Sequence, residues 1–376
     1  MPYLSVIIPT TRPHYLKYSL ASVLAQSDRD IEVIIAFNPP HPGVELGDIG
    51  NDPRVCVVTA PRFLPMHDNW DNGFVRATGE WVTLLGDDDC YVPHAVRRMR
   101  DATAAIGDSD MLLWTWGSYI APDCPIPNAG YGSIPAYSGV VSSKSTTEVG
   151  EILYGFKPNM KKWLPSIMRG AVRRKYVAMA RERSGYFCYP LTPDFGAAAQ
   201  ILALGNRISL LDLPLVILQT TRDSMAASGF GVEATRRDQL FGIAGNPPFV
   251  HSPVQARLET NRPLIYETLM AVKAKYPELD YINANLIDFL AYHYQGLLET
   301  GQKRDVTAAL AELDQVMSRM TADERARVLA RPKPWPSLFT RLLDRITKHR
   351  GKSVNMAGRG DVLDFVKSIG VAAPAH

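Results

Sequence analysis

Three consecutive aspartates, Asp87, Asp88 and Asp89, end the apolar run over residues 81–86, Trp-Val-Thr-Leu-Leu-Gly. Carboxylates this close repel one another, and a cation relieves the repulsion. A hard divalent ion, Mg²⁺ or Mn²⁺, prefers oxygen donors and can bridge carboxylates to a diphosphate. Asp87 and Asp89, spaced as Asp-x-Asp, are therefore candidate metal ligands. The competing reading is a loop whose acidic side chains simply stay in water. Another carboxylate, Asp194, stands just before the helix-like stretch over residues 197–202, where an Asp is an ordinary N-cap worth about 1 kcal/mol. A third stretch, Gln-Thr-Thr-Arg-Asp-Ser-Met over residues 219–225, offers Arg222 as a bidentate donor to phosphate and Ser224 as a hydroxyl.

Such chemistry needs a scaffold that brings distant stretches together. Residues 4–8 read as a buried strand, broken by Pro9-Thr10-Thr11-Arg12-Pro13 before apolar residues recur at a helical period, Leu16, Leu20, Val23 and Leu24. Residues 31–37 read as a second strand. A right-handed crossover lays it parallel to the first and leaves the loop with Pro9, Thr10 and Arg12 at the carboxyl edge, where ligands collect in open α/β sheets. Residues 55–58 make a third strand. Asp68-Asn69-Trp70 opens a helix with Trp70, Phe74 and Ala77 on one face and Gly79 as its stop. The aspartate-bearing strand follows, then a helix from Pro93 and a strand over residues 111–116. From 117 to 165 the periodicity dissolves into Pro, Gly, Ser and Tyr, and the expectation is a long functional loop region. Its Tyr131, Tyr137, Tyr154 and Trp163 either anchor it to the core or stack on a sugar.

At 376 residues the chain has room for two domains, or for one large domain with an appendage. Its 41 Lys and Arg against 38 Asp and Glu give a formal charge of +3, so no global field favours nucleic acid. Cys56, Cys90, Cys124 and Cys188 lie far apart with no CxxC pair, which disfavours zinc and a secreted disulfide framework. No basic segment opens the chain, and no apolar run approaches the roughly 18 residues of a membrane span. A cytoplasmic protein is the expectation, with the inner face of the membrane as one location.

Four stretches in this order resemble the family-2 glycosyltransferases of the GT-A fold, over roughly residues 3 to 230. Residues 5–10, Ser-Val-Ile-Ile-Pro-Thr, look like the family's first strand and nucleotide loop. Residues 22–26 and 31–35 look like its next helix and second strand. Asn69-Trp70 through Ala77-Thr78-Gly79-Glu80-Trp81 is similar to its approach to the metal strand, and Gly86-Asp87-Asp88-Asp89 to its Asp-x-Asp site. The resemblance implies a nucleotide-diphosphate sugar as donor and a carbohydrate or glycolipid as acceptor. Asp87 and Asp89 would hold Mn²⁺ or Mg²⁺. Pro9, Thr10, Arg12, Asn69, Arg76, Asp88, Arg222 and Ser224 would bind the donor, and Asp194 would be the base of an inverting transfer. Where the family has an acidic residue after strand two, this chain has Phe37 and then Asn38. Either Asn38 or Phe37 meets the nucleobase, or Phe37 is core and Asn38 a turn residue. The family's further histidine ligand has no counterpart near residue 223, where Asp223 is a substitute candidate.

The expected fold class is α/β: a GT-A domain over residues 1–245 with a mostly parallel, Rossmann-like sheet between helices. A helical extension spans 246–331, and a Pro-rich linker, a basic amphipathic helix and a tail span 332–376. The extension carries no chemical motif, and a subunit contact that would make a homo-oligomer is one use for it. Thr321-Ala322-Asp323-Glu324 reads as a capping box. Residues 336–352 either touch an anionic membrane surface or dock on the protein itself. Two other classes compete with the transferase. One is a non-catalytic sugar-nucleotide or glycan binder of the same fold. The other is a sugar nucleotidyltransferase, disfavoured because no Gly-rich basic loop cradles a triphosphate near the N-terminus.

Overall fold

The structure is a computed structural model that describes residues 1–39, 51–124, 128–224, 249–255, 260–301, 305–330, 352–355 and 360–369. Strands β1 (Leu4–Thr10), β2 (Ile31–Phe37), β3 (Val55–Thr59) and β4 (Trp81–Leu84) run parallel in the spatial order β3-β2-β1-β4. β1 and β2 are covered on both faces, which is why each reads as an unbroken apolar run. The two-residue period still sorts their side chains. Val6 and Ile8 pack with Leu16, Leu20 and Val23 of α1 (Pro13–Leu24), while Ile7 packs with Trp70 and Phe74 of α2 (Met66–Phe74). Two apolar layers therefore sandwich the sheet and hold the carboxyl ends of β1 and β4 side by side.

Past β4 the sheet continues through β9 (Gly170–Arg173), β6 (Met111–Ile120) and β7 (Tyr131–Ile134) to β11 (Lys352–Asn355). β9 lies antiparallel between β4 and β6. β10 (Arg207–Thr220) runs parallel to β6 and antiparallel to β5 (Cys90–Tyr91) and β8 (Val141–Ser145). The last residues of β10 thereby reach the aspartates. Helix α3 (Ala95–Ala105) follows β5, and α6 (Lys175–Ser184) and α7 (Pro193–Leu204) lie between β9 and β10.

Residues 117–124 and 128–165 are more regular than the loop the sequence suggests. They complete β6 and form β7, β8, α4 (Thr146–Tyr154) and α5 (Met160–Trp163). The added strands are short and polar, so they carry little apolar period, and α4 starts from a capping box of Ser145 and Glu148. Tyr154 and Trp163 are buried in the core, whereas Tyr131 is exposed.

Helices α8 (Arg262–Lys273), α9 (Leu286–Gly301), α10 (Thr307–Met317) and α11 (Ala322–Leu329) extend the apolar layer that already holds α2 and α7. Thr192 donates to Thr268 at 2.8 Å and Tyr276 to Gln200 at 2.7 Å, so the extension is tied to α7 and its approach by buried bonds. Thr321 and Glu324 form the expected capping box. The Pro-rich segment and the basic stretch through residue 351 lie outside the described residues. After them β11 pairs with β7, and Phe365 of α12 (Val362–Ile369) stacks on Tyr119 with ring centroids 5.3 Å apart. Among the described residues no helix is long and apolar enough to cross a membrane.

His293 of α9 has no exposed surface, and among the described residues neither ring nitrogen has a hydrogen-bond partner. Burial, helped by Arg262, pushes its pKa down to about 4. Above about pH 6.5 the imidazole is neutral in folded and unfolded chains alike. As pH falls toward 4, only the unfolded chain takes up the proton, and on the order of 3 kcal/mol of stability is lost. Urea unfolding at several pH values is expected to give a smaller pH slope for His293→Phe than for the wild type.

Candidate active site

The carboxyl ends of β1, β4 and β10 enclose a cavity of about 470 Å³. Pro9, Thr10 and Arg12 form one wall, Asp87, Asp88 and Asp89 the floor, and Gln219, Thr220, Asp223 and Ser224 the opposite wall. Trp70, Met66, Leu84 and Met168 supply an apolar side. All three carboxylates are buried, between 4% and 6% exposed. Thr10 donates its hydroxyl to Asp87 Oδ2 at 2.7 Å, and the Arg12 guanidinium grips both oxygens of Asp87 and reaches Asp88 Oδ2 at 3.3 Å. Thr221 Oγ1 donates to Asp88 at 3.0 Å, and the backbone N–H of Gln219 donates to Asp89 Oδ1 at 2.8 Å. Gly86 leaves room for the carboxylates: a Cβ there would stand 2.5 Å from Asp89 Oδ2 and push that side chain aside.

The electrostatics follow from three acids facing one guanidinium. Burial, then the charge of Asp87, pushes Asp88 up to about 6, with Arg12 and Thr221 pulling against the shift. Burial and the neighbouring Asp88 raise Asp89 well above the usual carboxylate range. Arg12 loses solvation on burial, but Asp87 and Asp88 outweigh that loss and hold it charged. The cluster is left short of positive charge.

Of the residues expected from the sequence, Pro9, Thr10, Arg12, Asn38, Asn69, Asp87, Asp88, Asp89 and Ser224 converge on this cavity. Asn38 is already occupied: its amide donates to the Leu64 carbonyl and accepts from the Leu64 N–H, each at 2.8 Å, while Phe37 is buried. Asn69 donates to the Ala36 carbonyl and keeps a buried Oδ1 with no partner among the described residues. Arg76 and Arg222 are exposed and do not line the cavity. Asp223 does line it, accepts from the Tyr15 hydroxyl and lies 3.5 Å from His14 Nε2, a histidine close in space but remote in sequence. Thr221 and Gln219 are the residues that sequence reasoning passed over in favour of Arg222. The rule that places ligands beyond buried strands applies to β10 as it does to β4, and would have found them.

Asp194 lies elsewhere. Helix α7 begins at Pro193 with Thr192 in the cap position, so Asp194 sits inside the first turn and is not the N-cap. Burial raises its pKa, while the amides of Phe195 and of Asp194 itself, and then Arg169, work against the rise. It does not line the carboxylate cavity; Arg169, which feels its charge, lines a neighbouring one.

The cluster suits a divalent cation in its chemistry, being oxygen-rich, buried and short of positive charge. In the arrangement observed, Asp87 is spent on Arg12 and Thr10, and Asp89 gives one oxygen to Gln219. Among the described residues no group of three His, Cys, Asp or Glu side chains is set to hold a metal ion.

The parallel strands β1 to β4 of a mixed α/β sheet gather carboxylates at the end of a central strand. Residues 5–115 match the family described as glycosyl transferase family 2, and that stretch contains β1, Arg12 and all three aspartates. Among solved structures the chain is similar to S. aureus TarS 1-349, at 15% identity and a TM-score of 0.46, covering 85% of this chain and 93% of that one. The same protein in complex with UDP-GlcNAc is similar at 15% identity and 0.46, covering 79% of this chain and 89% of that one. Its complex with UDP gives 17% identity and 0.44, covering 82% of this chain and 95% of that one. These are distant likenesses. No curated protein sequence matches the chain.

Proposed function

We propose that the protein transfers a sugar from a nucleotide-diphosphate sugar to a hydroxyl of a carbohydrate or glycolipid acceptor, with inversion at the anomeric carbon. The observation that carries this reading is the convergence of Thr10, Arg12, the three aspartates and the end of β10 on one cavity. Asp87 and Asp89 would hold Mg²⁺ or Mn²⁺, and the ion would supply positive charge for the departing diphosphate. Arg12 is the chain's own phosphate donor: it lines the cavity, and its buried Nη1 has no hydrogen-bond partner among the described residues. Thr10, Thr221 and the Gln219 amide fix the carboxylates in place, and Asn69 Oδ1 is free to accept a hydroxyl or N–H of the donor.

In the transfer itself the acceptor oxygen forms a bond to the anomeric carbon as the bond to the diphosphate oxygen breaks. The acceptor proton passes to the Asp194 carboxylate, whose raised pKa suits a base. The test is the release of nucleoside diphosphate from a panel of sugar nucleotides, beginning with UDP-GlcNAc, with and without carbohydrate and glycolipid acceptors. Acceptor-dependent release, with a product of opposite anomeric configuration by NMR, is the expected result. Tight nucleotide binding with no release from any donor would favour the binding-module alternative.

A further inference from the structure

A second cavity of about 520 Å³ adjoins the first, and Ser118 lines both. Its charge is the reverse. Lys161, Lys162 and Arg169 line it together with Trp116 and Thr115, and no carboxylate does. Arg169 is only 7% exposed. Its guanidinium lies 4.3 Å over the Trp116 ring and donates to the Lys161 carbonyl, and among the described residues it makes no ion pair. Burial pushes its pKa down to about 10, with only Asp194 opposing. Thr115 Oγ1, on the same wall, is buried without a partner. Lys161 and Lys162, in the last turn of α5, are exposed and likewise make no ion pair among the described residues.

Arg169 spends one hydrogen bond on the Lys161 carbonyl, and an anion in the cavity would engage the N–H groups left over. The Trp116 ring beneath the guanidinium holds it at the cavity, and a guanidinium is the side chain best suited to grip phosphate or carboxylate. The carboxylate cavity is claimed by the donor and is negative. The basic cavity beside it lies on the side where Arg169 meets the field of Asp194.

We propose that this cavity is the acceptor subsite and that the acceptor is anionic, bearing a phosphate or carboxylate held by Arg169, Lys161 and Lys162. This rests on the transferase reading given above. The anion docks beyond Ser118, and a hydroxyl of the same molecule faces the donor. A neutral glycan would leave the guanidinium and the Thr115 hydroxyl unsatisfied, so selection against neutral acceptors is built into the cavity wall.

Calorimetric titrations of the full chain with glucose 6-phosphate, glucuronate and glucose, each at low and high salt, test this, with UDP as a separate ligand. Wild type is expected to bind at least one of the anionic sugars, more weakly as salt rises, and to ignore glucose. Lys161→Glu/Lys162→Glu is expected to weaken anion binding by roughly tenfold or more and to leave UDP affinity unchanged. Arg169→Gln should do the same, and the exposed lysine pair carries the test if that buried change impairs folding. Preference for glucose 6-phosphate over glucuronate assigns a phosphate, and the reverse assigns a carboxylate. The proposal is overturned if neither anion binds, if glucose binds as well as the anions, or if the lysine variant binds unchanged. Failure of UDP to bind wild type would instead strike the donor reading, and the anion titrations would still decide this one.

Discussion

Asp194→Asn is expected to lower kcat by about 10²–10⁴-fold while leaving the affinity for the nucleotide unchanged. The residue is held inside the first turn of α7, apart from the cavity that holds the aspartate cluster, so it has no part in binding the donor. Its carboxyl is raised above the usual range by burial, and a base of raised pKa takes a proton more readily near neutral pH. The base must be ionised to act. Wild-type kcat should therefore fall as pH drops through that raised value, and the limb should flatten in Asp194→Asn. Steady-state kinetics over pH, paired with UDP titration, make the check. A residue that only supported its helix would behave differently: its loss from the first turn would cost about 0.3–1 kcal/mol of stability with little change in kcat.

Arg12→Ala is expected to destabilise the protein, with metal chelated, by about 3 kcal/mol at neutral pH. The guanidinium is the cation that compensates Asp87 and Asp88 in the buried cluster. Removing it leaves carboxylates unpaired away from water, the circumstance in which a broken buried pair costs most. The same change makes stability depend more steeply on pH. Asp88 already stands at about 6 with Arg12 present, and without it the folded protein holds the proton more tightly still. From about pH 4 up to that raised value the folded state binds more protons than the unfolded chain, so stability falls as pH rises. Denaturant unfolding at pH 5 and pH 8 measures both effects. Equal stability of variant and wild type would mean that Arg12 does not compensate the cluster.

What could be read from the sequence divides along a physical line. β1, β2 and β4 were legible because strands covered on both faces must be apolar throughout, and the loops after them inherit a position at the carboxyl edge. That places Thr10, Arg12 and the aspartates together at one edge of the sheet. β7 and β8 were illegible because they carry little apolar period: β8 pairs with β10 through a run rich in Ser, and Gly132 of β7 leaves room for the Phe365 ring, which a Cβ there would strike. The pairing of residues 352–355 with β7 and the packing of α12 were hidden for a different reason: Phe365 finds Tyr119 across more than 200 positions of chain. Within the site, the bonds from Thr221 and Gln219 to Asp88 and Asp89 depend on β10 lying beside β5 and β6, a pairing no local pattern announces. Arg222 looked the better phosphate ligand from its chemistry, yet the turn after β10 points it outward.

The central claim is that the carboxylates after β4 hold the donor diphosphate. Thermal melting of the wild type and Asp89→Asn with UDP, with Mn²⁺, and with both tests it most directly, because a ligand of the native state raises the melting temperature by mass action. Asn at residue 89 can still accept the Gln219 N–H and removes a buried carboxyl, so the unliganded variant should melt no lower than wild type. UDP and Mn²⁺ together should raise the wild-type midpoint by more than the two separate shifts combined, and the variant should show no such gain. The same combined shift in both proteins, or none in either, would contradict the claim.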